Sequence, residues 1–245
     1  MVGNPRFTHK LGILVPFTNT NLEPDMHILC PKDIGVYTAR MGGYDADAIP
    51  DEEQMAGLGA STLDDCLQLL CGVNPDIVVY GCTSATLTHG VQFDQDLAKQ
   101  IQQISGAKSV TTAGALINAL KNLNSKLFAF ASPYVPAINQ QAIDFLADAG
   151  FTCVNEGEVE DTLDNEGQGA MTPEQVFELG LLGDHPDAQA LVLSCTDMRS
   201  VEVINALEQA IEKPVITSNQ AMMFQCMQLL NRTERLNYGR LFNRL

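Results

Sequence analysis

Asp76-Ile77-Val78-Val79-Tyr80-Gly81-Cys82-Thr83 and Gln189-Ala190-Leu191-Val192-Leu193-Ser194-Cys195-Thr196 share one pattern: a short apolar run, a small residue, then Cys-Thr. An unbroken apolar run of this length reads as a strand buried on both faces, as in a parallel sheet covered by helices. The same offset roughly relates Lys10-Leu11 through Thr18 to Lys126-Leu127 through Tyr134, and Ser109-Val110-Thr111-Thr112 to Pro214-Val215-Ile216-Thr217. The matches recur in the same order, which points to an internal duplication.

Working outward, the strand candidates are Leu11 to Val15, Ile34 to Ala39, Ile77 to Tyr80, Ser109 to Thr112, Leu127 to Ala131, Phe151 to Val154, Ala190 to Leu193 and Val215 to Thr217. They fall into two sets, separated by segments of helical period, so the fold class is α/β with mainly parallel sheets. Asp51 to Val73 carries Met55, Leu58, Ala60, Leu63, Leu67 and Leu70 at helical spacing, and Asn74-Pro75 stops it. Pro136 to Gly150 and Thr172 to Leu182 read the same way, with Thr172-Pro173-Glu174-Gln175 as a capped start. Glu156 to Ala170 is acidic, contains glycine and lacks period, so it is expected to be a long loop acting as a lid.

Composition narrows the function classes. With 45% hydrophobic and 18% charged residues over 245 positions, the chain can bury a core without a metal or disulfide staple. Lys and Arg number 14 against 30 Asp and Glu, a formal net charge of -16, which repels phosphate backbones and anionic bilayers. Nucleic acid and membrane are therefore excluded as partners, while an anionic small molecule can still be held by local backbone N–H groups. Met1 to Lys10 lacks the apolar stretch of a signal peptide, and no apolar run approaches the roughly 20 residues of a membrane span, so a soluble cytoplasmic protein is expected.

The seven cysteines show no CxxC spacing, and His9, His27, His89 and His185 form no ligand cluster with them, which speaks against zinc and disulfides. Gly57-Leu58-Gly59 lies inside a helical pattern and is not a phosphate loop. Cys82 and Cys195 differ from the other thiols in place: each follows a buried strand where a helix is expected to begin. In open parallel sheets ligands bind outside the carboxyl ends of the strands. If the two halves face each other, both thiols reach one cleft, and a helix N-terminus lowers a thiol's pKa.

Six strings carry a resemblance: Val15-Pro16-Phe17-Thr18-Asn19-Thr20-Asn21-Leu22-Glu23, Gly81-Cys82-Thr83-Ser84-Ala85, Ala131-Ser132-Pro133-Tyr134-Val135, Asp164-Asn165, Leu193-Ser194-Cys195-Thr196-Asp197-Met198-Arg199 and Thr217-Ser218-Asn219-Gln220-Ala221. In order and over most of the chain they resemble the maleate cis-trans isomerases, within the aspartate/glutamate racemase superfamily that includes arylmalonate decarboxylase. The resemblance implies two pseudo-symmetric, doubly wound domains with four-stranded sheets and the active site between them. The expected division is residues 1–112 completed by a returning C-terminal helix in 220–245, and 113–219. It implies a cofactor-independent isomerase of maleate or a similar small unsaturated dicarboxylate, with Cys82 as nucleophile and Cys195 as the second thiol handling a proton. Asn19, Tyr134 and Asn165 would hold the substrate, joined by Thr83, Ser84 and Thr196, and no metal is implied.

This sequence departs from that pattern in places. Isomerases commonly have Ser-Ser-Asn-Thr-Thr where this chain reads Phe17-Thr18-Asn19-Thr20-Asn21, which bears on which dicarboxylate is taken. Decarboxylases of the group carry glycine where Cys82 stands, and racemases usually read Cys-Asn-Thr in place of Cys82-Thr83-Ser84. The alternatives are a two-thiol amino-acid or hydroxy-acid racemase, and a dicarboxylate-binding module without turnover. Asn19 is also a candidate helix cap, and Arg199 a candidate partner for acidic surface rather than a carboxylate clamp. Asn231 to Leu245 alternates arginines with Leu236, Tyr238, Leu241 and Phe242, and either covers a neighbouring subunit in a homo-oligomer or packs on its own domain.

Overall fold

Eight strands form two sheets of four, in the orders β2-β1-β3-β4 and β6-β5-β7-β8, and every pairing is parallel. The computed structural model describes residues 6–43, 45–49, 51–58 and 63–245. The first half runs β1 (His9–Pro16), α1 (Leu22–Leu29), β2 (Ile34–Met41), α2 (Glu52–Gly57), α3 (Leu63–Cys71), β3 (Ile77–Tyr80), α4 (Thr83–Leu87), α5 (Gly90–Ser105), β4 (Lys108–Thr111) and α6 (Thr112–Leu123). The second runs β5 (Leu127–Ala131), α7 (Pro136–Asp148), β6 (Thr152–Gly157), α8 (Asn165–Ala170), α9 (Pro173–Gly183), β7 (Ala190–Leu193), α10 (Ile204–Ile211), β8 (Val215–Thr217) and α11 (Ser218–Leu229). The sheets therefore repeat one topology, with β5 to β8 standing where β1 to β4 stand. This is the two-part α/β architecture expected from the paired Cys-Thr strings.

The inner strands explain the apolar runs. Every residue of β3 and β7 is buried, and Leu11, Ile13, Leu14 and Val15 of β1 and Phe128, Ala129 and Phe130 of β5 are fully so. Strand order reverses between β1 and β3, and again between β5 and β7, so the chain leaves neighbouring strands in opposite directions there and opens a crevice at their carboxyl ends. Pro16 and Cys82 stand at one such crevice, Tyr134 and Cys195 at the other.

Two local expectations are corrected, and of the two readings of the C-terminal stretch one is observed. The single helix over Asp51 to Val73 is two: α2 ends at Gly57, and Leu58 has extended backbone (φ −64°, ψ 121°). A Cβ at Gly57 would lie 2.6 Å from the Gly43 carbonyl oxygen, so the chain passes the preceding loop too closely for any side chain there. Gly59 and Ala60, part of that expected helix, lie outside the described residues. The expected loop Glu156 to Ala170 begins inside β6 and ends as α8, whose start is capped by Asp164 accepting from the Gly167 N–H at 2.7 Å. The C-terminal stretch packs on its own chain: Leu241 and Phe242 are fully buried, and Phe242 meets Phe224 of α11 edge-on with ring centroids 6.1 Å apart. Two of its arginines are also employed there, Arg232 pairing with Asp33 and Glu234 and Arg240 with Glu208.

Two carboxyls are buried in the first half, Asp25 on α1 and Asp94 on α5. Burial pushes Asp25 up to about 7, against the lowering by its bond from Asn219, and pushes Asp94 up to about 6, against lowering by Thr111 and the Gly114 N–H. The native state then holds protons that the unfolded chain releases. This contribution to stability is complete below the unfolded value of 3.8 and is lost as pH rises through about 6 and about 7. Thermal unfolding at pH 5 is expected about 5–10 °C above that at pH 8, from about 2–4 kcal/mol. The doubly substituted Asp25→Asn, Asp94→Asn protein should lose most of that difference. An unaltered pH slope in the double variant would remove these two groups as its cause.

Candidate active site

Four strand ends converge on one pocket. It is lined by Pro16, Thr18 and Asn19 after β1, Cys82 and Ser84 after β3, Tyr134 after β5, Cys195, Thr196 and Asp197 after β7, Asn165 and Gln168 of α8, and Met55 and Leu58. Its volume is ≈ 30 Å³, far below the roughly 300–1,000 Å³ of sites for drug-sized ligands. Among the described residues no Lys or Arg lines it, so neutral donors must supply its affinity for an anion.

Cys82 caps the N-terminus of α4 with extended backbone (φ −135°, ψ 116°), as expected. Gly81 lets β3 deliver it there: a Cβ at that position would come within 2.2 Å of Leu22 Cδ2 and 3.0 Å of the Leu14 carbonyl oxygen. Its carbonyl accepts from Thr86 Oγ1 at 2.9 Å, which locks the first turn. The electrostatic expectation for this thiol is corrected. Burial raises its pKa, and the N–H groups of Ala85 and Ser84 with the Ser84 hydroxyl only offset part of that rise.

Cys195 differs from the expectation in its backbone. No helix begins there; Thr196 to Met198 form a turn, and the next regular piece is a 3-10 turn, Val201–Val203. The helix N-terminus is replaced by the single N–H of Asp197, which donates to Cys195 Sγ at 3.3 Å. Burial pushes this thiol up to about 12, against the Tyr134 phenol that bonds to it and with the Asp197 charge raising it further. Cys195 is thus a protonated thiol at neutral pH.

The remaining expected residues divide. Tyr134 is buried with its phenol raised well above the ordinary value by burial and by the two thiols it faces; it bonds both Cys195 and Thr83. Its backbone N–H donates to Ser132 Oγ at 3.1 Å, and Ser132 in turn bonds Asn139 of α7, which fixes the approach to the pocket. Asn19 holds the start of α1 and also lines the pocket: Oδ1 accepts from the N–H groups of Asn21 (3.1 Å) and Leu22 (2.8 Å), and Nδ2 donates to Thr196 Oγ1 at 3.0 Å. Ser84 lines the pocket and donates to Met55 Sδ at 2.8 Å. Thr83 is not among the lining residues; its hydroxyl turns to Ser218 Oγ at 3.0 Å and to the Tyr134 phenol. Asn165 is the first residue of α8, not a loop residue, and its Nδ2 donates to the carbonyls of Ala46 (3.2 Å) and Ala48 (3.4 Å), bridging the pocket mouth.

Sequence reasoning missed Gln168 and Asp197. Gln168 is one turn beyond Asn165 on the same face of α8, with Oε1 4.0 Å from Cys195 Sγ. Asp164 as a cap before Gly167 is the signal that finds this helix and the face it presents. Asp197 Oδ1 accepts from the Thr20 N–H (2.8 Å) and from the N–H (3.0 Å) and Nδ2 (3.0 Å) of Asn21, tying the loop after β1 to the turn after β7. Asn21, a departure from the isomerase pattern, therefore belongs to this tie, and its Nδ2 also donates to the Gly169 carbonyl of α8 at 2.9 Å. Phe17 is partly exposed and is not among the lining residues. Arg199 pairs with Glu202 at 2.8 Å on the surface and does not reach the pocket. Among the described residues, no group of His, Cys, Asp and Glu is placed to hold a metal ion, and no helix is long and apolar enough to cross a membrane.

Comparison with known proteins bears on this arrangement as a whole. A maleate isomerase of Pseudomonas putida is 23% identical over 91% of this chain and 92% of its own length. One of Geobacillus stearothermophilus is 24% identical over 91% and 92%. Among solved structures, a Nocardia farcinica maleate cis-trans isomerase, as a cysteine-to-serine variant with a covalently bound succinylcysteine intermediate, matches with a TM-score of 0.89 at 22% identity, over 97% of this chain and 99% of that one. The family model described as arylmalonate decarboxylase matches residues 11–242, taking in both sheets and all four strand ends that meet at the pocket. On that match the chain belongs to the arylmalonate decarboxylase family, and within it is similar to the maleate isomerases.

Proposed function

We propose that the protein is a maleate cis-trans isomerase, or an isomerase of a similarly small cis-unsaturated dicarboxylate, working by addition and elimination of the Cys82 thiol. The observation that carries the reading is the pairing of two buried thiols, on repeat-related strand ends, in one small pocket lined by neutral hydrogen-bonding groups. The similarity to maleate isomerases over nine-tenths of the chain supports it.

In this scheme the Cys82 thiol gives its proton to a substrate carboxylate, which returns it when the thiolate leaves at the end; the thiolate forms a C–S bond to one alkene carbon, and the π electrons move to the other carbon and its carboxylate. The Cys195 thiol gives that carbon its proton, leaving a succinyl thioether whose central C–C bond is single and rotates. Cys195 then takes a proton back, the C–S bond breaks, and the double bond re-forms in the trans geometry. No electron is gained or lost overall, so the chemistry calls for no redox cofactor. When substrate binds, the amides of Asn19, Asn165 and Gln168, the Tyr134 phenol and the hydroxyls of Ser84 and Thr196 turn from their protein partners to the two carboxylates, stabilising the charge that builds during addition. Thr83 acts through Tyr134. Residues 1–112 with 220–245 form one unit and 113–219 the other in this reading, supported by the packing of α11 on α1 and β4.

The test is proton NMR in D2O of maleate with protein dialysed exhaustively against a chelator, beside L-aspartate and phenylmalonate as separate substrates, loss of the aspartate Cα–H signal reporting racemisation. Fumarate formation from maleate alone is expected. Racemised aspartate with unchanged maleate would overturn the proposal in favour of a two-thiol racemase.

A further expectation concerns α8. If Asn165 closes the mouth by reaching across to Ala46 and Ala48, Asn165→Ala should raise KM and lower kcat together, each by about tenfold, since it loses both a carboxylate donor and the closing contact. Hydrogen exchange across residues 158–170 should slow when a saturated dicarboxylate binds. Parent-like kinetics in the variant would strike Asn165 from the site.

A further inference from the structure

The N-terminus of α11 touches the turn behind each thiol. Ser218 Oγ meets Thr83 Oγ1 at 3.0 Å, one residue past Cys82, and Asn219 Nδ2 donates to the Thr196 carbonyl at 3.1 Å, one residue past Cys195. Thr196 also bonds the Gly81 carbonyl through its hydroxyl at 3.3 Å and accepts from Asn19 at 3.0 Å. A shift of this one residue therefore moves the second thiol, the strand end that holds the first, and a pocket amide together.

Beneath Asn219 lies Asp25 of α1, whose Oδ2 accepts from the same Nδ2 at 2.7 Å. Both residues are buried, and Asn219 Oδ1 has no hydrogen-bond partner. A carboxylic acid answers a primary amide with two bonds, its carbonyl accepting N–H and its O–H donating to the amide oxygen, whereas a carboxylate makes only the first. The orphaned amide oxygen thus fits a protonated Asp25. The charged groups facing Asp25 are Glu202 and Asp197, which oppose its ionisation, and Arg199, which favours it.

We propose that Asn219 and Asp25 are positioning residues for the second thiol, an amide–acid pair that fixes the Thr196 carbonyl and so sets where Cys195 delivers its proton. The proposal rests on the isomerase reading above. It assigns the pair no contact with substrate.

The test compares Asn219→Ala, Asp25→Ala and Asp25→Asn with the unaltered enzyme and with Cys195→Ala, each mixed with maleate. The readouts are kcat, KM and the mass of protein carrying a succinyl group. Asn219→Ala should lower kcat by on the order of 10²-fold, as a misplaced proton donor would, with KM within about threefold. It should also accumulate the adduct on Cys82, as Cys195→Ala does. Asp25→Asn, whose amide can both accept from and donate to Asn219, should recover at least about tenfold of the kcat that Asp25→Ala loses. If Asn219→Ala does not fold, Asn219→Asp replaces it, with the same shape and no N–H donors. Lowered kcat without adduct, or equal losses in Asp25→Ala and Asp25→Asn, would overturn the proposal and leave the pair as fold support alone. No adduct in Cys195→Ala together with no fumarate from the unaltered enzyme would instead remove the isomerase reading, and this proposal with it.

Discussion

Cys82→Ser is expected to lower the turnover of maleate by at least about four powers of ten, which corresponds to about 5–6 kcal/mol of lost barrier reduction. The buried thiol is already reluctant to ionise, and an alcohol in the same place is far more so. Oxygen is also the poorer nucleophile toward a conjugated alkene and the poorer leaving group when the bond must break again. The fold should survive, because serine keeps the size of the side chain, and the N–H groups of Ser84 and Ala85 that face sulfur can face oxygen. Circular dichroism and thermal unfolding should match the parent within about 1 kcal/mol. Retention of more than about a tenth of the rate would remove Cys82 from the nucleophile's role.

Cys195→Ala comes next in size, with an expected loss in kcat of about three powers of ten, in the range for a positioned acid–base group. Its cause is different. A thiol pushed up to about 12 is protonated when substrate arrives, which suits the group that must give a proton after Cys82 has added. Without it, addition can proceed with a proton from solvent, but the reverse removal from carbon has no base. KM should change little, because Asn165, Gln168, Tyr134 and Asn19 remain. A variant with undiminished kcat would show that the proton passes elsewhere, the Tyr134 phenol being the nearest alternative.

The inner strands were legible because burial on both faces leaves an unbroken apolar run with sharp ends. Ile77 to Tyr80 and Ala190 to Leu193 came out at the residues where the structure has them. The edge strands β2 and β6 were not so clear: both are half-buried along their length, and they run two or three residues further than their apolar content suggests. Helical period carried the reading of Asp51 to Val73 past Gly57, where a close backbone approach decides the matter and no period records it. The short α8 was hidden by its glycines, with only the Asp164 cap to announce it. The duplication found Cys195 but misread its surroundings, since its turn is held by Asp197 and by Thr20 and Asn21 from the far half of the chain. Asp197 escaped for the same reason, its place coming from contacts between halves, while Gln168 was lost with the unread helix α8 that carries it.

The central claim is that Cys82 adds covalently to a cis-butenedioate in the pocket it shares with Cys195. Intact-mass analysis of the Cys195→Ser protein after mixing with maleate, followed by peptide mapping, addresses it most directly. The account predicts one succinyl group per chain, located on the peptide bearing Cys82 and absent when Cys82→Ser is added to the same background. An unmodified Cys82 at saturating maleate, or a succinyl group found only on one of the other cysteines, would contradict it.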